Sequence, residues 1–399
     1  MIEGYIKKQR NYCILLFILP IFLLKAGVPM SYSIISLCFL FVFCVFFRKK
    51  LFRDIAFSLP LIIWIILTLY HCTNAYIKHV PGVDFVDFLH GLKIYACIVI
   101  FAYWGTRNFY ATVSILIAIF IARNCLCIID YLTFGGIRQT GRMNTTLGVS
   151  TFLGQFAAIT GIFITYANAL KKINWQKNIG LFLIPFIVVI LTQTRQCLAM
   201  LSCCVLFVYI IKKKRQGQSI ITSALFFVII AAAAAYLSMG ILSETDFGRR
   251  ITDKKEAEEN SYYIAQNKTN TIFDKIVGDR LIYYVQGWEY FKTSPITGIG
   301  MWRYESLSGG RYPLHSEYMV HICEGGIIAI ALWLLFLILV FKIILTYKGD
   351  PYVKYSALGS IFVTLFCAIY AREFFYEMFY PIYGLAISLK YQNKGINYA

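Results

Sequence analysis

Apolar runs of roughly 17–25 residues recur from one end of this chain to the other, separated by short polar or basic stretches; that is the length at which a helix crosses the hydrocarbon core of a bilayer. The runs are continuous rather than alternating, so they exclude the dyad pattern of a membrane β-barrel. They predict about twelve spans, at 11–28, 31–47, 55–71, 90–105, 109–132, 150–170, 179–194, 196–211, 219–242, 317–343, 354–371 and 374–390. The expected fold is therefore all-α, a polytopic membrane protein.

One interval breaks the rhythm. Residues 243–316 form a large loop between spans nine and ten, which divides the chain into 1–242 (spans one to nine), the loop itself, and 317–399 (spans ten to twelve and a tail). In "GDRLIYYVQGWEYFKTSPITGIGMW", Leu281, Tyr284, Val285, Trp288 and Phe291 recur at helical spacing. This predicts an amphipathic helix over 280–292 lying along the membrane surface, begun at Asp279 and stopped by Ser294-Pro295 with Gly298 and Gly300.

Composition agrees with the pattern. Only 15% of the 399 residues are charged against 59% hydrophobic, with a mean hydropathy of +0.66, too little charge to coat a soluble core of this size. The formal net charge of +18 raises the question of nucleic acid, but its placement answers it. Lys7, Lys8 and Arg10 precede span one; Arg48, Lys49, Lys50 and Arg53 follow span two; Lys171, Lys172 and Lys177 follow span six. Lys212, Lys213, Lys214 and Arg215 follow span eight, and Lys390 and Lys394 follow span twelve. By alternation all of these share one side, the signature of cytoplasmic loops. Both termini are expected in the cytoplasm, the basic excess meets anionic membrane lipid, and no nucleic-acid partner is needed. "MIEGYIKKQRNYCILLFILPIFLL" reads as a retained first span, since no small-residue cleavage site follows it. The twelve cysteines lie mostly inside apolar runs without ligand spacing, and read as small buried hydrophobes.

Cations on the opposite, outer side run against that trend. Lys93 begins span four; Arg138 and Arg142 precede span six; Arg195 lies in the tight turn "TQTRQC"; Arg280 leads the loop helix; Arg372, with Glu373, sits between the last two spans. Guanidiniums gathered on this face suit a phosphate-bearing ligand, whose oxygens they grip bidentately. Arg123 and Asp130, seven apart on one helix, read instead as a structural buried pair. The stretch "YPLHSEYMVHICEGG" enters span ten with His315 outside it and Glu317, His321 and Glu324 on one helical face. The two histidines are six apart, not the spacing of a helical zinc pair, so no metal is expected. His315, close to the outer arginines, is the candidate acid–base residue; His321 reads as structural.

"TQTRQCLAML", "DRLIYYVQGWEYFKTSPITGIGMW" and "HSEYMVHICEGGIIAIALWLL", in that order, resemble the O-antigen ligase and polysaccharide polymerase family of bacterial envelopes. An arginine follows a Thr/Ser-rich span end, a second leads a helix ending in proline and Gly-x-Gly, and a histidine precedes a span carrying Glu and Gly. Arg195, Arg280 and His315 match that pattern, Glu324, Gly325 and Gly326 match the helix that follows, and Thr194 stands where the family more often has Ser. Lys93 and "GRMN" at 141–144, with Arg142, match more loosely. The resemblance implies a GT-C-like membrane glycosyltransferase acting without cofactor on a polyprenyl-diphosphate-linked glycan. Arg195, Arg280 and His315 would be its catalytic residues, with Lys93, Arg142, Glu317 and Arg372 binding the diphosphate or glycan. It implies an acceptor that is a second glycan (polymerase) or lipid A-core (ligase), envelope polysaccharide assembly proteins as partners, and a bacterial cytoplasmic membrane with the site facing outward. A transporter of lipid-linked sugars is the reading from another class, but the sequence lacks the repeat symmetry common there.

The orientation is open to direct measurement. In a cysteine-free background, a cysteine at Asn267 should react with an impermeant reagent in intact cells, and one at Gln216 should not. The reverse pattern would invert every side assigned above.

Overall fold

The computed structural model describes residues 50–80, 85–134, 143, 150–169, 175–192, 194–217, 281–307, 314, 316–369 and 379–392. Expected spans one, two and nine, and the first part of the large loop, lie outside the described residues. Every regular element among the described residues is helical: α1 Lys50–Ala56, α2 Leu59–Ile77, α3 Phe85–Phe134, α4 Ser150–Ala169, α5 Trp175–Thr192, α6 Arg195–Arg215, α7 Leu281–Thr293 and α8 Arg303–Leu307. A single turn, Glu317–Met319, and a π-helical turn, Val320–Glu324, lead into α9 Gly326–Leu345, followed by α10 Pro351–Ala368 and α11 Tyr380–Gln392.

Local chemistry sets several of these boundaries. Pro60 stands in the first turn of α2, where its missing N–H costs nothing and its φ is already helical. Pro351 does the same for α10, and Asp350 caps that helix by accepting from the Tyr352 N–H at 2.8 Å. α3 is two helices meeting at Asn108, whose backbone leaves helical geometry (φ −156°, ψ 84°). The Asn108 side chain then accepts from the Ala111 N–H at 3.0 Å, so one residue ends the first helix and caps the second. Expected spans four and five are thus joined by a kink rather than a loop.

Among the described residues three helices are long and apolar enough to cross a membrane, namely Leu59–Ile77, the Ile94–Thr133 stretch of α3, and Gly326–Leu345; Phe152–Ala167 and Gly180–Thr192 are shorter apolar helices. Only 33% of the apolar window in α9 is buried within the protein, leaving Ile327, Leu334, Leu335 and Ile338 exposed. Such a face needs a solvent as apolar as itself, so the chain is an integral membrane protein.

Inside, the helices close on aromatic and small residues. Trp64 of α2 packs edge-on against Phe336 of α9 (5.1 Å) and Tyr380 of α11 (5.6 Å). α11 lies along the first half of α3, where a Cβ on Gly384 would come within 2.8 Å of the Ile98 carbonyl oxygen. In the second half of α3, Arg123 is buried with its guanidinium 4.3 Å from the centre of the Phe156 ring.

Helix ends gather into two groups. At one end, Lys214 of α6 bonds Tyr355 at the start of α10, the Tyr391 hydroxyl donates to the Asp54 carbonyl (2.6 Å), and Gln392 donates to Gly105 (3.0 Å). At the other end meet the last turns of α2, the end of α10, and the whole segment from α7 to the start of α9.

Candidate functional site

The second end is built around a break in a helix. Between Glu317 and Leu345 the helical path passes through the π-turn and reopens at Gly325-Gly326, freeing carbonyls from the intrahelical ladder. The segment after α7 satisfies them: Ile299 N–H donates to Cys323 O and Gly300 N–H to Glu324 O, both at 2.9 Å. In return Ile327 N–H donates to Pro295 O at 2.9 Å. The two strands of backbone pass so closely that a Cβ on Gly298 would sit 2.4 Å from Glu324 backbone atoms, and one on Gly326 2.4 Å from Gly298 N. Both residues also have positive φ, +70° and +68°, so glycine is required twice over.

Three side chains of α2 and its cap clamp this junction. The Tyr70 hydroxyl reaches the carbonyls of Gly325 (2.9 Å) and Thr297 (3.1 Å), and the Asn74 amide donates to Thr297 O (2.6 Å) and Glu324 O (3.3 Å). Lys78 donates to Ser294 Oγ at 2.9 Å and to Gly298 O. Burial, and then the nearby charge of Arg303, lower the Lys78 ammonium from its ordinary range.

Beneath the junction runs a line of buried ionisable groups. His71 Nε2 lies 3.1 Å from His321 Nδ1, and His321 Nε2 lies 2.9 Å from Glu317 Oε1. The last contact is at ion-pair distance but is angled away from a hydrogen bond. His71, His321, Glu317 and Glu324 are all at most 1% exposed, and the Trp333 ring covers His321 at 5.1 Å. A buried carboxylate needs a compensating partner, and His321 lies within ion-pair distance of Glu317. Among the described residues no group of His, Cys, Asp or Glu is arranged to hold a metal ion; Glu317, His321 and His71 form a line rather than a cage.

Of the residues expected from sequence, Glu317 is fully described: it is buried against His321. Arg195 is the first residue of α6, and Lys93 lies eight residues inside α3, which starts at Phe85 rather than at Lys93. Arg142, Arg280, His315 and Arg372 lie outside the described residues, but their neighbours are fixed. Tyr284, four positions after Arg280, donates from its hydroxyl to Ile369 O at 2.5 Å and lies 3.1 Å from Ser316 Oγ. Ser316 follows His315 directly, and Ile369 precedes Arg372 by three positions. One phenol therefore ties together the segments that carry three of the candidates. The next residue after Arg142, Met143, is buried and donates its N–H to Leu191 O at 2.9 Å, close in sequence to Thr194 and Arg195. α6 runs antiparallel to α10, with Phe207 against Gly359 and Lys214 against Tyr355. From the Phe207 contact, twelve residues back to Arg195 and ten on to Ile369 cover about 18 and 15 Å of helix, so α6 starts at the end where Ile369 is held.

α7 matches the expected loop helix to within a residue, but its two faces divide the work. Gly287, Tyr284 and Tyr290 turn toward Met319, Ser316 and Tyr304, while Val285 (44% exposed) and Trp288 (48%) keep the apolar stripe outside. That stripe is free to meet lipid. Sequence reading passed over His71 and Asn74, because it ended span three at 71 and took the next residues as loop. The signal was present: Tyr70, His71, Asn74 and Lys78 are polar residues at one-turn spacings at the end of an apolar helix, where such groups need a reason.

Residues 180–334 match the family model described as O-Antigen ligase. The matched region runs from α5 through the junction into α9, and it supports assignment to the O-antigen ligase and polymerase family. No curated protein matches the chain. With the apolar helices, the family match supports a membrane glycosyl-transfer function of the O-antigen ligase or polymerase type.

Removing one partner from a buried charged contact costs about 3–5 kcal/mol, whereas replacing both by apolar groups is often neutral. His321→Leu should therefore lower stability by about that amount, and Glu317→Met/His321→Leu should recover most of it. Thermal unfolding in detergent checks this; a double variant as unstable as the sum of the two singles would contradict the pairing.

Proposed function

We propose that this protein is a polysaccharide polymerase, joining polyprenyl-diphosphate-linked repeat units by glycosyl transfer on the outer face of a bacterial cytoplasmic membrane. The acceptor hydroxyl attacks the anomeric carbon of the donor, the bond from that carbon to the diphosphate oxygen breaks, and the lipid diphosphate leaves with its electron pair. Arg195 and Arg280 stabilise the charge that develops on the leaving group, which preorganised guanidiniums do without reorganising. His315 takes the proton of the attacking hydroxyl. Arg372, Arg142 and Lys93 add positive charge along the donor's path. Since arginines supply the charge that a metal supplies elsewhere, the reaction as proposed runs without one.

The observation that carries this reading is the Tyr284 hydroxyl, which joins the segments bearing Arg280, His315 and Arg372 at a single point. Glu317, first read as a substrate contact, takes a supporting part here: buried against His321, it holds the turn that follows His315. The apolar outer stripe of α7 supports a donor that arrives from the bilayer. Twelve spans, cytoplasmic termini and an outward-facing site complete the proposal, and rest on the alternation of basic loops. The description of the matching family as O-Antigen ligase favours a second reading, transfer of the finished glycan to lipid A-core or another acceptor.

Purified protein given a lipid-diphosphate repeat unit as its sole substrate should yield a ladder of products. Reaction only after a second acceptor is added would make it a ligase, and no transfer under either condition would favour transport. His315→Ala should reduce transfer by roughly 10²–10⁴-fold, the usual worth of a positioned acid–base group, with folding intact. Full activity in His315→Ala would remove the base assignment.

A further inference from the structure

The opposite end of the bundle carries a second polar site. Arg53, Asp54, Phe57, Ser58, Leu59, Lys390 and Tyr391 line an open cleft of about 410 Å³ between the α1–α2 corner and the end of α11. Ser58, one of the lining residues, is only 3% exposed, and its buried Oγ has no hydrogen-bond partner. It is the N-cap residue of the 19-residue helix α2, yet its side chain makes no capping bond. The first N–H groups of a helix ordinarily lack partners and carry partial positive charge. Here Pro60 has none to offer, and those of Leu61 and Ile62 bond Ser58 O, which leaves the N–H of Leu59, itself a lining residue of the cleft. Arg53 and Lys390 bring two cations against one carboxylate, Asp54, whose backbone carbonyl is held by Tyr391.

A hydroxyl donor, a helix N-terminus and a net positive charge make a phosphate site. The surroundings say which phosphate. Phe57 (68% exposed) and Leu59 (53%) stand at the mouth, and from there Ile62, Ile66 and Leu69 continue an exposed apolar stripe along α2. A free phosphate has no use for that track, whereas two acyl chains do. We infer that this cleft binds the headgroup of an anionic phospholipid, with the phosphate on Ser58, Arg53 and Lys390 and the acyl chains against the outer face of α2. Asp54 accepts from hydroxyls of the headgroup, which favours a glycerol headgroup over choline. The same lipid fixes the α1–α2 corner against the end of α11, at the end of the molecule away from the junction.

The full chain, purified in mild detergent, is to be titrated with phosphatidylglycerol, with phosphatidylcholine and with glycerol phosphate. Bound lipid is counted by native mass spectrometry and stabilisation followed by thermal unfolding. Phosphatidylglycerol should bind and stabilise, the other two much less. Each of Arg53→Gln and Lys390→Gln should weaken its binding roughly five-fold, the worth of one basic residue at an anionic membrane surface. Ser58→Ala should weaken it at least as much, because a hydrogen bond to a charged group is lost, while its lipid-free unfolding temperature stays near that of the parent. Equal stabilisation by glycerol phosphate would overturn the lipid assignment. Phosphatidylglycerol binding unchanged in Ser58→Ala, or matched by phosphatidylcholine, would overturn the site.

Discussion

Two stretches of backbone cross at Gly298 and Gly326 with no room for a side chain on either, and the candidate site is assembled from that crossing outward. The helix that becomes α9 opens at its membrane entrance, and freed carbonyls in an apolar setting are costly unless something else donates to them. Ile299 and Gly300 donate to Cys323 and Glu324, and Pro295 accepts from Ile327. α7, the helix led by Arg280, is thereby fastened to the helix entered after His315. The same contacts give Tyr70 and Asn74 carbonyls to hold, which brings α2 into the junction.

Polar groups collect here because the helix break supplies partners that a continuous helix would not. The Glu317, His321 and His71 line is fully buried, so its members are held by one another and by packing such as the Trp333 ring. Water competes little at such depth, and electrostatic contacts are correspondingly stronger. The π-turn here adds one residue to the helical path, and Glu317 and His321, four positions apart, meet on one face at its start. The rigid base so formed carries a rim that includes Ser316, the neighbour of His315. Precise placement of a reacting group needs that kind of support.

Much of this could be read from the order of residues. Continuous apolar runs announced membrane helices, and α4, α5 and α6 fall within a few residues of the expected spans. The proline and Gly-x-Gly turn after α7 and the Glu-Gly-Gly of α9 were legible as separate motifs. Their mutual docking was not, because backbone-to-backbone contact across a gap of some two dozen residues leaves no periodic trace. His71 was hidden for another reason. Its span was drawn too short, and a histidine at the end of an apolar run looks like loop until Asn74 and Lys78 are seen to continue its face. The break at 106–108 was legible, but the sequence pattern predicts a loop where the structure turns on one residue, Asn108.

The central claim is that the chain ends leading to Arg195 and Arg280 meet so that both guanidiniums hold one diphosphate leaving group. Transfer rates for Arg195→Lys, Arg280→Lys and the double variant test it most directly, since lysine keeps the charge but loses the two-pronged grip. Each single change should cost about 1.5–3 kcal/mol, roughly ten- to a hundred-fold in rate. Residues acting on one group are not additive, so the double variant should lose clearly less than the product of the two single losses. Losses that multiply, or lysine variants that transfer glycan at the parent rate, would contradict a shared diphosphate clamp.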